Sequence, residues 1–186
     1  MEFTVLKTKV KISPLFFAVL TAFLIADRGG TAAAVIGFSF LHELSHFAAL
    51  AALKKSPQEV RVTAAGISVR LFGMSTAQRI FVFAAGAAAN LAAAAFFAVA
   101  GNRLFCAVNL AIGVFTMLPL CSTDGGSIAA ALAESFFPER AEKLCRKLFT
   151  VCGVIIAAAL FAAAVLYKNP YLIIAVFYAV ICLLNY

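Results

Sequence analysis

LHELSH, residues 41–46, lies inside an apolar segment at about residues 31–53. His42 and His46 are the only two histidines of the chain. In a helix, positions four residues apart lie on the same face, so both imidazoles can contact one metal ion while Glu43 points towards the water bound there. The spacing predicts a zinc site on a helix.

A plainer interpretation of these residues also exists. A histidine in an apolar helix is more often a hydrogen-bonded core residue, and a buried glutamate can belong to an ion pair. Here, however, three polar groups that are costly to bury fall within five successive positions. A bound metal accounts for all three, whereas a helical bundle without metal would bury them for no gain.

Composition indicates an integral membrane protein. The chain is 65% hydrophobic and 12% charged, with a mean hydropathy of +1.04, which is more apolar than a soluble domain. About twenty apolar residues in a helix span the hydrocarbon of a membrane. The candidate spans are residues 12–26, 31–53, 80–100, 104–120, 148–167 and 171–184. We therefore predict an all-α polytopic membrane protein with about six transmembrane helices.

The basic residues predict how the chain sits in the membrane. Six spans leave three of the fifteen Lys and Arg residues, Arg28, Arg103 and Lys168, on one side and the rest on the other. The positive-inside rule then predicts a plasma-membrane protein with both termini in the cytoplasm, and a motif nearer the cytoplasmic side. The net charge of +7 suits anionic lipid headgroups, and we predict no nucleic-acid partner.

The segment between the second and third spans alternates polar and apolar residues. Residues 59–63 and 67–71 both have a period of two, with Gly66 between them, which is typical of a β-hairpin. We predict a short membrane-associated hairpin. It is either a connector or an exposed strand edge that holds an extended peptide by strand addition.

Asp124 is the best candidate for a third metal ligand. Pro119 and the pair Gly125 and Gly126 break the fourth span around it. A catalytic zinc takes three protein ligands and leaves one position open, and a carboxylate is a normal third ligand. Taken by itself, an aspartate before Gly125 is more often a helix cap or turn residue than a metal ligand. Because the two histidines leave a zinc ion one protein ligand short, we favour Asp124 as the third ligand.

Asn90 lies inside the third span, where burying its polar amide costs free energy. That span is rich in small residues, which let helices approach closely, so we expect it to pack centrally. The amide either forms an interhelical hydrogen bond or orients a group near the metal.

Together these residues resemble the site-2 proteases, a family of intramembrane zinc metalloproteases, and most closely the small branch typified by stage IV sporulation protein FB. The resemblance covers about residues 12–140 of a single membrane domain at 1–186, leaving a C-terminal helix pair at 148–186. The residues that match the family motifs are His42, Glu43 and His46; Gly86 and Asn90; Leu118 and Pro119; and Asp124 and Gly125.

The resemblance implies hydrolysis of a peptide bond in or near the transmembrane segment of a substrate that enters from the bilayer. It implies one Zn²⁺ per chain and Glu43 as the general base. Asn90, Thr116 and Gly66, the last in the hairpin, would bind substrate or support the site. The sequence names neither the substrate nor any regulatory membrane subunit.

Three positions depart from the family pattern. Thr116 and Ser122 stand where the family usually has an asparagine and a proline, and Ala87 replaces a further proline. These changes leave a second interpretation open, namely a catalytically inactive relative that binds membrane partners. A metal transporter would need ionisable groups along a path, and the last two spans offer none.

Overall fold

Five helices and four strands have defined bounds in the computed structural model, which describes residues 2–166 except 6–7, 15–16, 18–20, 22–23, 26, 28, 58, 64–65, 71–72 and 122. The strands are β1 (Glu2–Val5), β2 (Thr8–Ile12), β3 (Glu59–Thr63) and β4 (Gly66–Arg70). The helices are α1 (Thr31–Ala52), α2 (Thr76–Val99), α3 (Arg103–Thr116), α4 (Asp124–Phe136) and α5 (Ala141–Leu166).

The helix that carries the histidines, α1, begins at a glycine turn. Gly30 immediately precedes it with a φ of 73°, a left-handed conformation that glycine adopts without steric cost. The Asp27 carboxylate accepts hydrogen bonds from the N–H groups of Gly29 and Ala32, at 3.1 and 2.8 Å. Backbone donors at the helix start are thereby satisfied, because they have no partner within the helix itself.

The second long helix, α2, starts with a capping box. The Ser75 hydroxyl accepts a hydrogen bond from the N–H of Gln78, and the Gln78 side chain accepts one from the N–H of Ser75. The helix then packs on α1 through a core in which Leu50 and Val82 are each only 2% exposed. This packing brings α2 against the histidine-bearing face of α1.

Three of the described helices, α1, α2 and α5, are long and apolar enough to cross a membrane. The prediction for residues 104–120 was too long, since α3 has only 14 residues and ends at Thr116, before Pro119. Fourteen residues rise about 21 Å, which is less than the roughly 30 Å of hydrocarbon. The predicted spans at 12–26 and 171–184 lie largely or wholly outside the described residues.

The short helix that the sequence predicts at residues 127–132 is part of α4, which spans 13 residues. The charged segment at residues 138–147 has acidic and basic residues at helical spacing, and α5 begins at Ala141 and includes most of it. Its charges favour the helix, because Arg146 donates to the Glu142 carboxylate one turn away, at 3.0 Å.

The strands form a four-stranded sheet in the order β1-β2-β3-β4. β3 and β4 pair antiparallel, as the alternation predicted, while β2 and β3 pair in parallel. The predicted hairpin is therefore part of a larger sheet, to which β1 and β2 add two strands that the sequence did not predict. The parallel pairing includes a 3.9 Å contact between the Lys11 ammonium and the Glu59 carboxylate. Membrane association of the sheet stays a prediction.

The chain divides into two compact units, Met1–Val114 and Phe115–Tyr186. The first unit contains the sheet, α1, α2 and nearly all of α3. In the second unit α4 packs on α5, with Ala131 fully buried and Cys145 and Phe149 nearly so. The prediction of a single domain stays a prediction.

Candidate metal centre

His42 and His46 are both buried in the first unit, at 5% and 8% exposure. They lie one turn apart on α1, and their Nε2 atoms are 3.1 Å from each other. The rings are nearly perpendicular, with an interplanar angle of 86°. The helical spacing predicted that the imidazoles would share a face, and they do so with their Nε2 atoms converging.

The other ring nitrogen of His46 faces a backbone carbonyl. Its Nδ1 lies 2.7 Å from the carbonyl oxygen of Val82 on α2. A carbonyl oxygen can only accept a hydrogen bond, so His46 Nδ1 must carry a proton and donate it. In the neutral ring, the lone pair of His46 is then on Nε2.

The contact with Asn90 determines which ring nitrogen of His42 carries the proton. The Asn90 Oδ1 atom lies 2.8 Å from His42 Nδ1. The Asn90 Nδ2 atom donates to the carbonyl oxygen of Phe38, at 3.2 Å, and to Asn109 Oδ1, at 2.9 Å. Because the amide nitrogen faces two acceptors, the oxygen faces the imidazole, and His42 Nδ1 must donate. The lone pair of His42 is therefore also on Nε2.

Two lone pairs thus face each other across 3.1 Å in a buried site. With both rings neutral, this arrangement is repulsive unless a metal ion or a shared proton lies between the two nitrogens. Neutral imidazoles that donate through one nitrogen to an oxygen and offer the other to a metal are the usual form of histidine ligands. The donor chemistry of this pair therefore fits a metal ion.

Gly86 provides the room beside the two imidazoles. A Cβ atom at this position would lie 2.6 Å from His42 Cε1 and from His46 Nε2, and 2.7 Å from His42 Nε2. Any side chain at Gly86 would therefore fill the space next to both ligand atoms. The glycine allows α2 to approach the histidines closely and leaves that space open.

Glu43 follows His42 directly on α1 and is half-buried. Successive helical positions are rotated by about 100°, so Glu43 lies to the side of the face that carries the two histidines. Its role as general base stays a prediction.

Asp124 is the first residue of α4, in the second unit, and is half-buried. The preceding residue, Thr123, caps the helix, and its hydroxyl accepts a hydrogen bond from the N–H of Gly126 at 3.2 Å. The same hydroxyl contacts the carbonyl oxygens of Leu118 and Leu120, and so ties residues 117–120 to the helix start.

The two glycines after Asp124 are required by this packing. A Cβ atom at Gly125 would collide with the backbone carbonyl of Met117, and one at Gly126 with that of Leu120. The break around Pro119 that the sequence predicted is thus a tightly packed segment that fixes where the Asp124 backbone begins its helix.

The remaining predicted residues have these positions. Thr116 is the last residue of α3, and Gly66 opens β4 opposite Thr63. Ser122 lies outside the described residues. The roles of Thr116 and Gly66 in substrate binding stay predictions.

Asn109 on α3 is a polar residue of this site that the sequence interpretation missed. It is 0% exposed and contacts Asn90, which in turn contacts His42. The signal that would have found it is the one that singled out Asn90, a lone amide within an apolar helix.

No protein-family model and no curated relative matches the sequence. Among solved structures, the chain is similar to the site-2 protease from Methanocaldococcus jannaschii, with a TM-score of 0.70 at 15% sequence identity. The match covers 100% of this chain and 94% of the other. The chain has the site-2 protease fold. This confirms the resemblance to site-2 proteases at the level of the fold, while a relation to the sporulation branch stays a prediction.

Proposed function

We propose that the protein is an intramembrane zinc metalloprotease, which hydrolyses a peptide bond in or near the transmembrane segment of a membrane protein. The observation that carries this proposal is the pair of buried imidazoles whose Nε2 lone pairs converge at 3.1 Å. The site-2 protease fold and the apolar helices support it.

We propose His42, His46 and Asp124 as the ligands, which is the set that the sequence motifs predict. Two imidazoles and one carboxylate leave a fourth tetrahedral position open, as catalytic zinc sites require. When bound there, the ion would lower the pKa of a coordinated water and polarise the scissile carbonyl. The Nδ1 atoms of His42 and His46 face Asn90 Oδ1 and the Val82 carbonyl oxygen, which leaves Nε2 of each ring to bind the ion.

Glu43 is the proposed general base. It would take a proton from the attacking water and deliver it to the nitrogen of the leaving amine, which is the role of a carboxylate beside paired zinc-binding histidines. The side chain shares α1 with both histidines, so a rigid element defines the separation between base and ligands.

The proposed substrate is an extended segment of a membrane protein that enters from the bilayer. A transmembrane helix hides its peptide bonds in internal hydrogen bonds, so it must unwind locally before cleavage. Among the strands of the described residues, β4 is the last in the sheet order and pairs with β3 alone. Its other edge is our candidate for holding the unwound segment by strand addition, with Gly66 at its start.

We also propose a plasma-membrane location with both termini in the cytoplasm and the metal centre nearer that side. The support is the uneven distribution of Lys and Arg over the predicted loops. The predicted orientation directs the basic residues of the second and fourth loops towards anionic lipid headgroups.

The test compares the wild-type protein with Glu43→Gln in vesicles that contain a single-span model substrate. We expect Glu43→Gln to bind zinc as the wild type does but to lose cleavage, because the glutamine keeps the shape and cannot accept the proton. A chelator should abolish wild-type cleavage, and added zinc should restore it.

Cleavage by Glu43→Gln near the wild-type rate would overturn the assignment of the base. Zinc binding without cleavage of any single-span substrate by the wild type would instead favour the inactive relative, for which Thr116 and Ser122 are the sequence features.

A further inference from the structure

Asn109 is a buried amide that the proposed reaction does not use. It is 0% exposed on α3, an apolar helix in which a polar side chain without partners would be costly. Its Nδ2 atom donates to the carbonyl oxygen of Phe105, one turn earlier, at 2.9 Å. Its Oδ1 atom accepts from Asn90 Nδ2, also at 2.9 Å.

The hydrogen bond from Asn109 Nδ2 to the Phe105 carbonyl oxygen fixes which end of the Asn109 amide faces Asn90. With its nitrogen bonded to a carbonyl, Asn109 presents only its oxygen, so Asn90 must present its nitrogen in return. The carbonyl oxygen of Phe38 on α1 also accepts a hydrogen bond from Asn90 Nδ2, at 3.2 Å. Of the two contacts, the shorter one comes from Asn109.

The neighbouring aromatic rings hold these backbone acceptors in place. Phe38 and Phe105 pack edge to face, with their ring centroids 5.2 Å apart, and each also packs against Phe97 on α2. The two carbonyl groups that fix the amides therefore belong to residues of one aromatic cluster, which joins α1, α2 and α3. This cluster gives the chain of amides a rigid frame.

We propose that Asn109 is a positioning residue of the metal centre. It holds the Asn90 amide in the orientation that keeps the proton of His42 on Nδ1 and its lone pair on Nε2. The proposal rests on the metal site proposed above and extends that site to a third helix. Asn109 does not contact the metal or the substrate in this account, and it acts only through Asn90.

Without Asn109 the Asn90 amide loses one of its two oxygen partners. The amide can then rotate and present its nitrogen to His42, which would draw the His42 proton onto Nε2. A protonated Nε2 cannot bind a metal. The expected consequence is weaker zinc binding, although no ligand has been changed.

The experiment measures zinc affinity by chelator competition in the full-length protein. Asn109→Leu removes both polar groups, and Asn109→Ser leaves a side chain too short to reach Asn90. We expect either variant to lower zinc affinity by about 10- to 100-fold, the usual effect of removing a partner that orients a metal ligand. Two variants are used so that the misfolding of one does not decide the result.

Asn102→Ala is the matched control, at the residue that immediately precedes α3. The Asn102 side chain accepts a hydrogen bond from the N–H of Phe105 at 3.0 Å, so its loss destabilises the start of α3 without contacting Asn90. We expect a lower thermal midpoint and unchanged zinc affinity. Loss of affinity in this control equal to that of the Asn109 variants would show a general effect of helix stability and would overturn the proposal.

A double-mutant cycle tests whether Asn109 acts through Asn90. In an Asn90→Ala background, Asn109→Leu should cause no further loss of zinc affinity. If the two substitutions instead lower zinc affinity independently, so that their fold-losses multiply, the proposal is overturned. Asn109 variants that bind zinc like the wild type would also overturn it. Neither result would contradict the proposed metal site. A wild-type protein that binds no zinc would overturn the proposed function and this inference together.

Discussion

Gly86 determines whether a metal ion has room beside the two imidazoles. A methyl group at this position would lie 2.6 to 2.7 Å from ring atoms of both histidines, where glycine has only an α-hydrogen. In a closely packed interior, contacts this short force one of the imidazole rings to move. The glycine was noted in the sequence only as part of a family motif, whereas its physical role depends on the approach of α2 to α1.

Gly86→Ala should therefore impair the metal site. We expect zinc affinity to fall by at least about tenfold, because the added methyl group displaces the imidazoles from their shared position. Chelator competition with zinc measures the change.

Gly37→Ala is the control for this substitution. Gly37 lies on α1, and a Cβ atom there would have nothing within 4 Å. We expect its zinc affinity to equal that of the wild type. Equal zinc affinities in the Gly86 and Gly37 variants would contradict the proposed placement of the ion beside Gly86.

At the level of single elements, Asp27 stabilises the start of α1 through its charge. Partial desolvation acts to raise the pKa of the Asp27 carboxyl, but hydrogen bonds from the N–H groups of Gly29, Ala32, Ala33 and Thr31 outweigh it and lower the pKa below 3.8. A lowered folded-state pKa means that the stabilisation is present above the unfolded-state value and is lost as the pH falls through the folded-state value.

Asp27→Ala should accordingly lower the thermal midpoint at pH 7. The difference from the wild type should shrink once the pH falls well below 3.8, the ordinary pKa of the carboxyl, because the wild-type cap is then protonated as well. Thermal unfolding of both proteins in the same detergent, followed by circular dichroism at a series of pH values, measures this difference in thermal midpoint. A difference that stays constant or grows in acid would contradict the role of the charge.

The helices show what the sequence can and cannot predict. The bounds of α1 followed from its apolar run, and the break after α3 followed from Pro119. β1 and β2 could not be predicted in the same way, because each has at most five residues and β2 pairs in parallel with residues fifty positions later in the chain. Their pairing depends on the fold as a whole.

The candidate site divides along the same line. His42, Glu43 and His46 are predictable because a single helical turn brings them together. Asn109 is not, since its contact with Asn90 joins two helices and appears only when both are packed. A polar residue in an apolar helix is still a signal, and the chain provides two such signals, Asn90 and Asn109, that meet in the fold.

For the whole molecule, the exposed apolar side chains of α5 agree with a lipid environment. Val154, Ile155 and Phe161 are each more than half exposed on this helix. Side chains of this kind would form an extensive apolar patch in water, where such patches are rare on monomeric proteins. In a bilayer they would contact acyl chains, as the length and composition of the helix suggest.

Zinc K-edge X-ray absorption of the purified protein in detergent tests the central claim most directly. The account predicts about one zinc per chain with nitrogen and oxygen ligands at about 2.0 to 2.1 Å, including scattering from imidazole rings. Asp124→Ala should lower zinc occupancy, and His42→Ala with His46→Ala should abolish it. Absence of zinc, or sulfur ligands at about 2.3 Å from the cysteines of the chain, would contradict the account.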